Sequence, residues 1–201
     1  HISILLGAKG PSVTISQFEM SVLSALLTAC RWLEDGLVDA VLFGSVDEYC
    51  DVLGYCWLRF FGPGSAAGGM RPLELGVQSA VAGEGAAFFV LTRAGSGKAK
   101  YGCVSELFFG RHGGEIPTPS EDTLLVLGAD GHKASGCHYE RYALLQNPAA
   151  VYTPFYGSFP TNSAFDMAVA TLMIRERRIF ATPAEAGDHF GLNLVRESRG
   201  L

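Results

Sequence analysis

The sequence predicts an α/β protein in which a mixed sheet is covered by helices on both faces. Three unbroken apolar runs have the length of buried strands, and segments of helical periodicity lie between them. The chain has 201 residues, of which 48% are hydrophobic, and this is enough for one sizeable core. Since no internal repeat or low-complexity linker divides it, we expect residues 1–201 to form a single domain.

The first predicted elements are a strand, a kink and a helix. Ser12 to Ser16 is β-rich, and a short kink at residues 17–19 leads into a run with apolar residues at three- and four-residue spacing. That run contains Val22, Leu23, Leu26, Leu27, Cys30 and Leu33. It predicts a one-faced helix that ends near Gly36. Asp39 to Phe43 follows as a short buried strand closed by a glycine.

The second half continues the alternation of strands and helices. Gly85 to Thr92 and Thr123 to Leu127 read as core strands, and Cys103 to Phe109 is β-rich. A helical run is expected from about His138 to Leu145. The last helix, from roughly Asn162 to Arg175, is apolar almost all round and should lie deep in the core.

Charge and hydropathy exclude several classes of function. The net charge of −5 gives no support to nucleic-acid or anionic-membrane binding. No window offers the ~18 unbroken apolar residues that a membrane span needs. The five cysteines show no spaced framework, which fits reduced thiols in a cytoplasmic protein.

Two clusters of polar residues contain potential metal ligands, but neither pattern favours a metal site. His132, Cys137, His138 and Glu140 lie within nine residues, but the single cysteine adjoins a histidine, so both cannot easily reach one ion. Asp47, Glu48 and Asp51 follow a strand end, where a solvated turn is the more common outcome. We therefore predict no metal and no cofactor.

Five segments, taken in order, resemble a β-ketoacyl synthase of the thiolase fold. They read GPSVTISQFEMSVLSAL, RWLEDGLVDAVLFGSVDE, RPLELGVQSAVAGEGAAFFVLTRA, LVLGADGHKASGCHYE and YTPFYGSFPTNSAFDMAVATLMI. The order and approximate spacing hold from about Gly10 to Leu194, and the most specific pieces are GEGAA and DAVLFGSVDE. The resemblance implies a thiolase-like layered fold and places the segments in the C-terminal part of such an enzyme. Because family members are considerably longer, we expect either an abbreviated fold or an incomplete chain.

The same resemblance implies that the chain has lost the family's catalytic residues. The cysteine that accepts the acyl chain on a sharp elbow is matched by Glu19, whose carboxylate cannot carry a stable acyl group. The two histidines are matched by Asp130 and Ser158, and the lysine by Thr153. The histidines act as N–H donors to an enolate, a role that a carboxylate would oppose. Cys30 falls in the helix body, where the family often has an unreactive cysteine or alanine.

Within this family, such losses are typical of the chain length factor, a silent homologue that pairs with an active ketosynthase. The resemblance is to the type found in aryl polyene and type II polyketide systems. It implies a heterodimer that handles chains bound to an acyl carrier protein. The candidate interface and tunnel residues are Val13, Ile15, Gln17, Phe18 and Met20. By itself, such a subunit would not be an enzyme.

Two alternatives from other classes stay open at the level of sequence. One is a decarboxylase of malonyl carrier protein, because some ketosynthase-like domains with glutamine at the cysteine position do this work. It would require Gln17 to serve through a gap of one or two residues. The other is an unrelated small α/β binding protein that shares only core patterning. Carbon dioxide release by the isolated chain would favour the first alternative.

Overall fold

The fold is taken from a computed structural model, which describes residues 2–63, 69–96, 101–109, 118–120, 123–176 and 191–195. Its helices are α1 (Ile2–Leu5), α2 (Ser21–Glu34), α3 (Asp51–Phe61), α4 (Lys133–Gly136), α5 (Glu140–Ala143) and α6 (Ser163–Glu176). Its strands are β1 (Ala40–Asp47), β2 (Gly85–Thr92), β3 (Thr123–Leu127), β4 (Ala149–Ala150) and β5 (Gly191–Val195). Short 3-10 helices cover Phe18–Met20, Cys137–Tyr139 and Thr153–Phe155. The predicted α/β class is confirmed.

The strands form an antiparallel pair and a parallel sheet. β1 pairs with β2 from Ala40 opposite Thr92 to Asp47 opposite Gly85. In the second sheet the order is β4-β3-β5, and β3 runs parallel to both neighbours. Every residue of β3 is buried, as expected for a central parallel strand that is covered on both faces. The predicted strands at 85–92 and 123–127 are confirmed with the same bounds.

Helices α2 and α6 cover one face of the β1–β2 pair. Val22 and Leu26 from α2 pack with Phe43 of β1 and with Ala164 and Met167 of α6. Since successive strand residues point to opposite faces, the other face of the pair carries a second apolar set. The largest side chains of that set are exposed, and they are Leu42, Val46, Phe88 and Val90.

Both long predicted helices are present, but α6 is less deeply placed than its sequence suggests. Its buried residues are Ala164, Asp166, Met167, Ala170 and Met173, which follow one side of the helix. Leu172 is 42% exposed, so the expectation of burial all round is wrong. The expected helix at 138–145 is not continuous, because this segment contains the end of a 3-10 turn (Cys137–Tyr139) and the short helix α5 (Glu140–Ala143).

Three further expectations differ from the structure. Residues 11–17 and 103–109 form no regular element, although both are β-rich. A strand needs a ladder partner, and among the described residues neither segment has one. Helix α3 was not expected, because the acidic residues before it suggested a turn.

In the part of the chain that the structure describes, no helix is long and apolar enough to cross a membrane.

Candidate functional site

The predicted kink is a single 3-10 turn that leads directly into α2. Phe18 has φ +49°, which lies in the left-handed region that a side chain with a Cβ rarely adopts. The turn is tied to the helix, because the Gln17 N–H donates to Ser21 Oγ at 2.7 Å and Ser24 Oγ donates to Gln17 Oε1 at 2.7 Å. These contacts hold a strained residue at the apex of a sharp elbow.

The elbow presents apolar side chains to the surface. Phe18 is 62% exposed and Val13 is 56% exposed, whereas Ile15 and Met20 are half-buried and Gln17 is exposed. Glu19, at the position that the resemblance assigns to the nucleophile, is half-buried on the same turn. The elbow and the segment before it therefore expose two apolar side chains, Phe18 and Val13.

A second cluster of predicted positions lies in the interior, after β3. The Asp130 side chain is 1% exposed and its two oxygens accept hydrogen bonds from three groups. Ser158 Oγ donates to Oδ2 at 2.5 Å, and Oδ1 accepts from Ser135 Oγ at 3.1 Å and from the His132 N–H at 3.3 Å. Asp130 and Ser158, 28 residues apart in sequence, are thus directly paired.

Thr153 belongs to the same buried region. Its Oγ1 donates to the carbonyl of Ala129, the neighbour of Asp130, at 2.7 Å. Thr153 and Ser158 are both 0% exposed. The structure therefore brings together three of the four positions that the resemblance assigns to catalytic residues, while Glu19 lies on the elbow. None of these four residue types carries a side-chain N–H, so they cannot supply the amine or imidazole donors of a condensing site.

His132, one of the potential metal ligands in the sequence, lies in the interior. Its ring is 2% exposed. Trp57 Nε1 donates to its Nε2 at 2.5 Å, and Gln78 Nε2 lies 3.0 Å from its Nδ1. No local signal in the sequence links these three residues, which are 75 and 54 positions apart.

The remaining thiols and the metal candidates occupy separate environments. Burial, and to a lesser extent the charge of Glu34, raises the pKa of the Cys30 thiol, so that it stays protonated near neutral pH. Cys137 is exposed whereas His132 is buried, and they do not face a common point. The described residues contain no group of three or more potential metal ligands.

A shallow cavity of about 630 Å³ lies beside the buried cluster. It is lined by Pro63, Gln78, Lys133, Ala134 and Cys137. The cavity is lined by a residue that follows α3 and by residues next to His132.

Comparison with known proteins finds similarity to ketosynthases. Residues 1–96 match the family model described as the β-ketoacyl synthase N-terminal domain. The expectation that the whole resemblance falls in the C-terminal part of such an enzyme is therefore wrong for these residues. No curated protein matches the sequence at a significant level.

Solved structures with the same fold are ketosynthases. The oxazolomycin ketosynthase domain from Streptomyces albus JA3453 has a TM-score of 0.66 and 20% identity, over 98% of this chain and 42% of its own. A type II polyketide synthase acyl-carrier protein in complex with its ketosynthase has a TM-score of 0.55 and 17% identity, over 90% and 56%. The ishigamide ketosynthase/chain length factor has a TM-score of 0.55 and 16% identity, over 77% and 45%.

These likenesses establish a thiolase-like, ketosynthase-type fold. The chain spans between 42% and 56% of the length of the three solved structures.

Proposed function

We propose that this ketosynthase-like domain is catalytically silent, pairs with an active β-ketoacyl synthase, and shapes the tunnel that receives the growing chain. It would thus act as a chain length factor, in elongation of the polyketide or fatty-acid type. An aryl polyene is the product class we favour, and the cytoplasm is the expected compartment.

The observation that carries this proposal is the hydrogen bonding of Asp130. Decarboxylative condensation builds negative charge on an enolate oxygen, which a ketosynthase stabilises with preorganised donors. At the corresponding positions this chain has a carboxylate and a hydroxyl, and the hydroxyl donates to the carboxylate at 2.5 Å. A carboxylate would repel the developing charge, and the Ser158 proton is already engaged. This arrangement supports a structural role for the former catalytic positions.

The elbow supports the second half of the proposal. The turn has no thiol at its apex and exposes Phe18, and the segment before it exposes Val13. Exposed apolar residues are typical of surfaces that become buried in an assembly. By analogy with the ketosynthase/chain length factor and the carrier-protein complex among the similar structures, we assign this surface to an active ketosynthase subunit. Acyl carrier protein would deliver its chain to that complex.

Co-expression with a candidate ketosynthase tests the proposal. We expect the two chains to co-elute as a stable complex, and malonyl carrier protein to be converted into elongated products only when both are present. Replacing the partner's nucleophilic cysteine should abolish the products, whereas Glu19→Ala should leave turnover unchanged because the elbow carboxylate takes no part in acyl transfer.

Other outcomes of the same assay point elsewhere. Condensation by the isolated chain would overturn the proposal, and carbon dioxide release from malonyl carrier protein by the isolated chain would indicate the decarboxylase. Failure to form any complex would favour a small binding protein that shares only the fold.

Within such a complex, Phe18→Ala is expected to lengthen or broaden the distribution of products. The substitution removes an aromatic ring from the elbow surface, so a flat chain could extend further. Because Phe18 is already 62% exposed, its loss should change the free energy of unfolding by less than about 1 kcal/mol. Mass analysis of the products is the measurement.

Val52→Ala is a matched control for Phe18→Ala. Val52 is 72% exposed but lies on α3, outside the elbow surface. Its substitution should leave the product distribution as it is. If Phe18→Ala also gives the unaltered distribution in an active complex, Phe18 does not line the tunnel.

A further inference from the structure

We propose that the hydrogen bond between Trp57 and His132 is a pH-sensitive tether that holds α3 against the loop following β3. Trp57 lies on α3, and its Nε1 donates to His132 Nε2 at 2.5 Å. The two rings also contact each other, with centroids 5.5 Å apart and planes inclined at 42°. The contact joins a surface helix to the segment that carries the buried Asp130 network.

The chemistry of the two partners makes this contact dependent on protonation. An indole N–H can donate but cannot accept, so His132 must offer a lone pair at Nε2. The Gln78 amide nitrogen is the neighbour at Nδ1, 3.0 Å away, and the oxygen of the same amide accepts the Lys133 N–H at 2.9 Å. A neutral ring can accept from one of these two donors, and the indole contact is the shorter. A protonated ring can accept from neither, because both of its nitrogens then carry hydrogen.

Charged groups around the His132 ring have opposing effects on its protonation. The titratable and charged side chains of the surrounding segments are Cys56, Arg59, Arg71, Glu74, Asp130 and Lys133. The carboxylates of Asp130 and Glu74 favour a protonated ring, and Asp130 also accepts the backbone N–H of His132. The burial of His132 opposes protonation, and Glu74 is partly neutralised by Arg71 at 3.0 Å. Charging the ring requires a proton on Nε2, which removes the acceptor of the indole N–H.

The described side chains of α3 are exposed or only partly buried, so loss of the contact between Trp57 and His132 should loosen the helix. None of residues 51–59 is buried, and its apolar side chains Val52, Tyr55 and Leu58 are between 57% and 72% exposed. A helix of 11 residues has little stability without tertiary contacts. Pro63 follows α3, and it lines the 630 Å³ cavity together with Gln78. Release of α3 would therefore widen this cavity at the edge of the buried cluster.

Hydrogen exchange measured by mass spectrometry between about pH 8 and pH 5 tests the tether. After correction for intrinsic exchange, we expect protection of the α3 amides to fall by about tenfold or more on acidification. Protection of α2, measured in the same samples, should stay constant, which distinguishes local release from global unfolding. His132→Gln keeps an acceptor near the Nε2 position but cannot titrate, so its α3 protection should not depend on pH. Trp57→Phe keeps an aromatic ring without the N–H, so its α3 should exchange rapidly at every pH.

Two results would overturn the proposal. One is an identical pH dependence of α3 protection in the unchanged protein and in Trp57→Phe. The other is full α3 protection in Trp57→Phe at neutral pH, since the tether would then contribute nothing. These readouts stand even if His132→Gln does not fold, and they do not depend on the proposed function.

Discussion

Replacing Asp130 with alanine is expected to lower the free energy of unfolding by about 3 kcal/mol or more. The carboxylate is 1% exposed and accepts hydrogen bonds from Ser158 Oγ, Ser135 Oγ and the His132 N–H. Its removal leaves these donors in the interior without their acceptor, and each such group costs its full desolvation energy. Urea unfolding monitored by circular dichroism gives the difference directly.

Two milder substitutions calibrate this prediction. Ser158→Ala removes one donor and leaves the carboxylate two others, so it should cost only about 1 kcal/mol. Asp130→Asn keeps one acceptor oxygen but introduces an N–H₂ group among donors, so its effect should fall between the two. If Asp130→Ala proves no less stable than Ser158→Ala, the network is not what stabilises the segment after β3.

Gly157→Ala is the second substitution for which we expect a large loss, about 3–4 kcal/mol. Gly157 has φ +83°, and a Cβ there would lie 2.6 Å from Gly83 Cα, well inside van der Waals contact. The segment cannot move aside easily, because the Ser158 N–H donates to the Val81 carbonyl at 2.8 Å and the Gly83 N–H donates to the Ser158 carbonyl at 3.1 Å. The free-energy cost of the strained backbone and the cost of the steric overlap therefore add together.

Gly95→Ala separates these two contributions. Gly95 has a similar φ of +79°, but no described residue lies within 4 Å of the position its Cβ would take. The cost there should be only the conformational one, about 1 kcal/mol. Equal losses at the two glycines would show that the close approach of residues 83 and 157 costs little. Thermal unfolding of both variants in parallel provides the comparison.

The elements that sequence reasoning predicted well are those with a strong local pattern. The strands at 85–92 and 123–127 are unbroken apolar runs, and α2 carries apolar residues at helical spacing on one side. A pattern of this kind is complete within one segment, so it can be read without knowing the neighbours. Helix α3 was not predicted, because its acidic start resembled a solvated turn. An acidic residue such as Asp51 in the first turn is nevertheless favourable for a helix N-terminus.

The β-rich segments at 11–17 and 103–109 show the limit of such patterns. Residues suited to strands form a strand only when a second strand offers its backbone groups. Within the described part of the chain neither segment has such a partner, so propensity alone led to the wrong prediction.

The sequence by itself determined the α/β class, the main core elements and the residue types at the positions that the resemblance assigns to the family's catalytic residues. It also excluded amine and imidazole donors there, because Glu19, Asp130, Thr153 and Ser158 have no side-chain N–H whatever their surroundings. Only the tertiary structure decided that Asp130 and Ser158 are directly bonded, and that Trp57 reaches His132 across 75 positions. The reason is physical: composition and periodicity describe local preferences, whereas hydrogen bonds between distant residues depend on how separate elements pack.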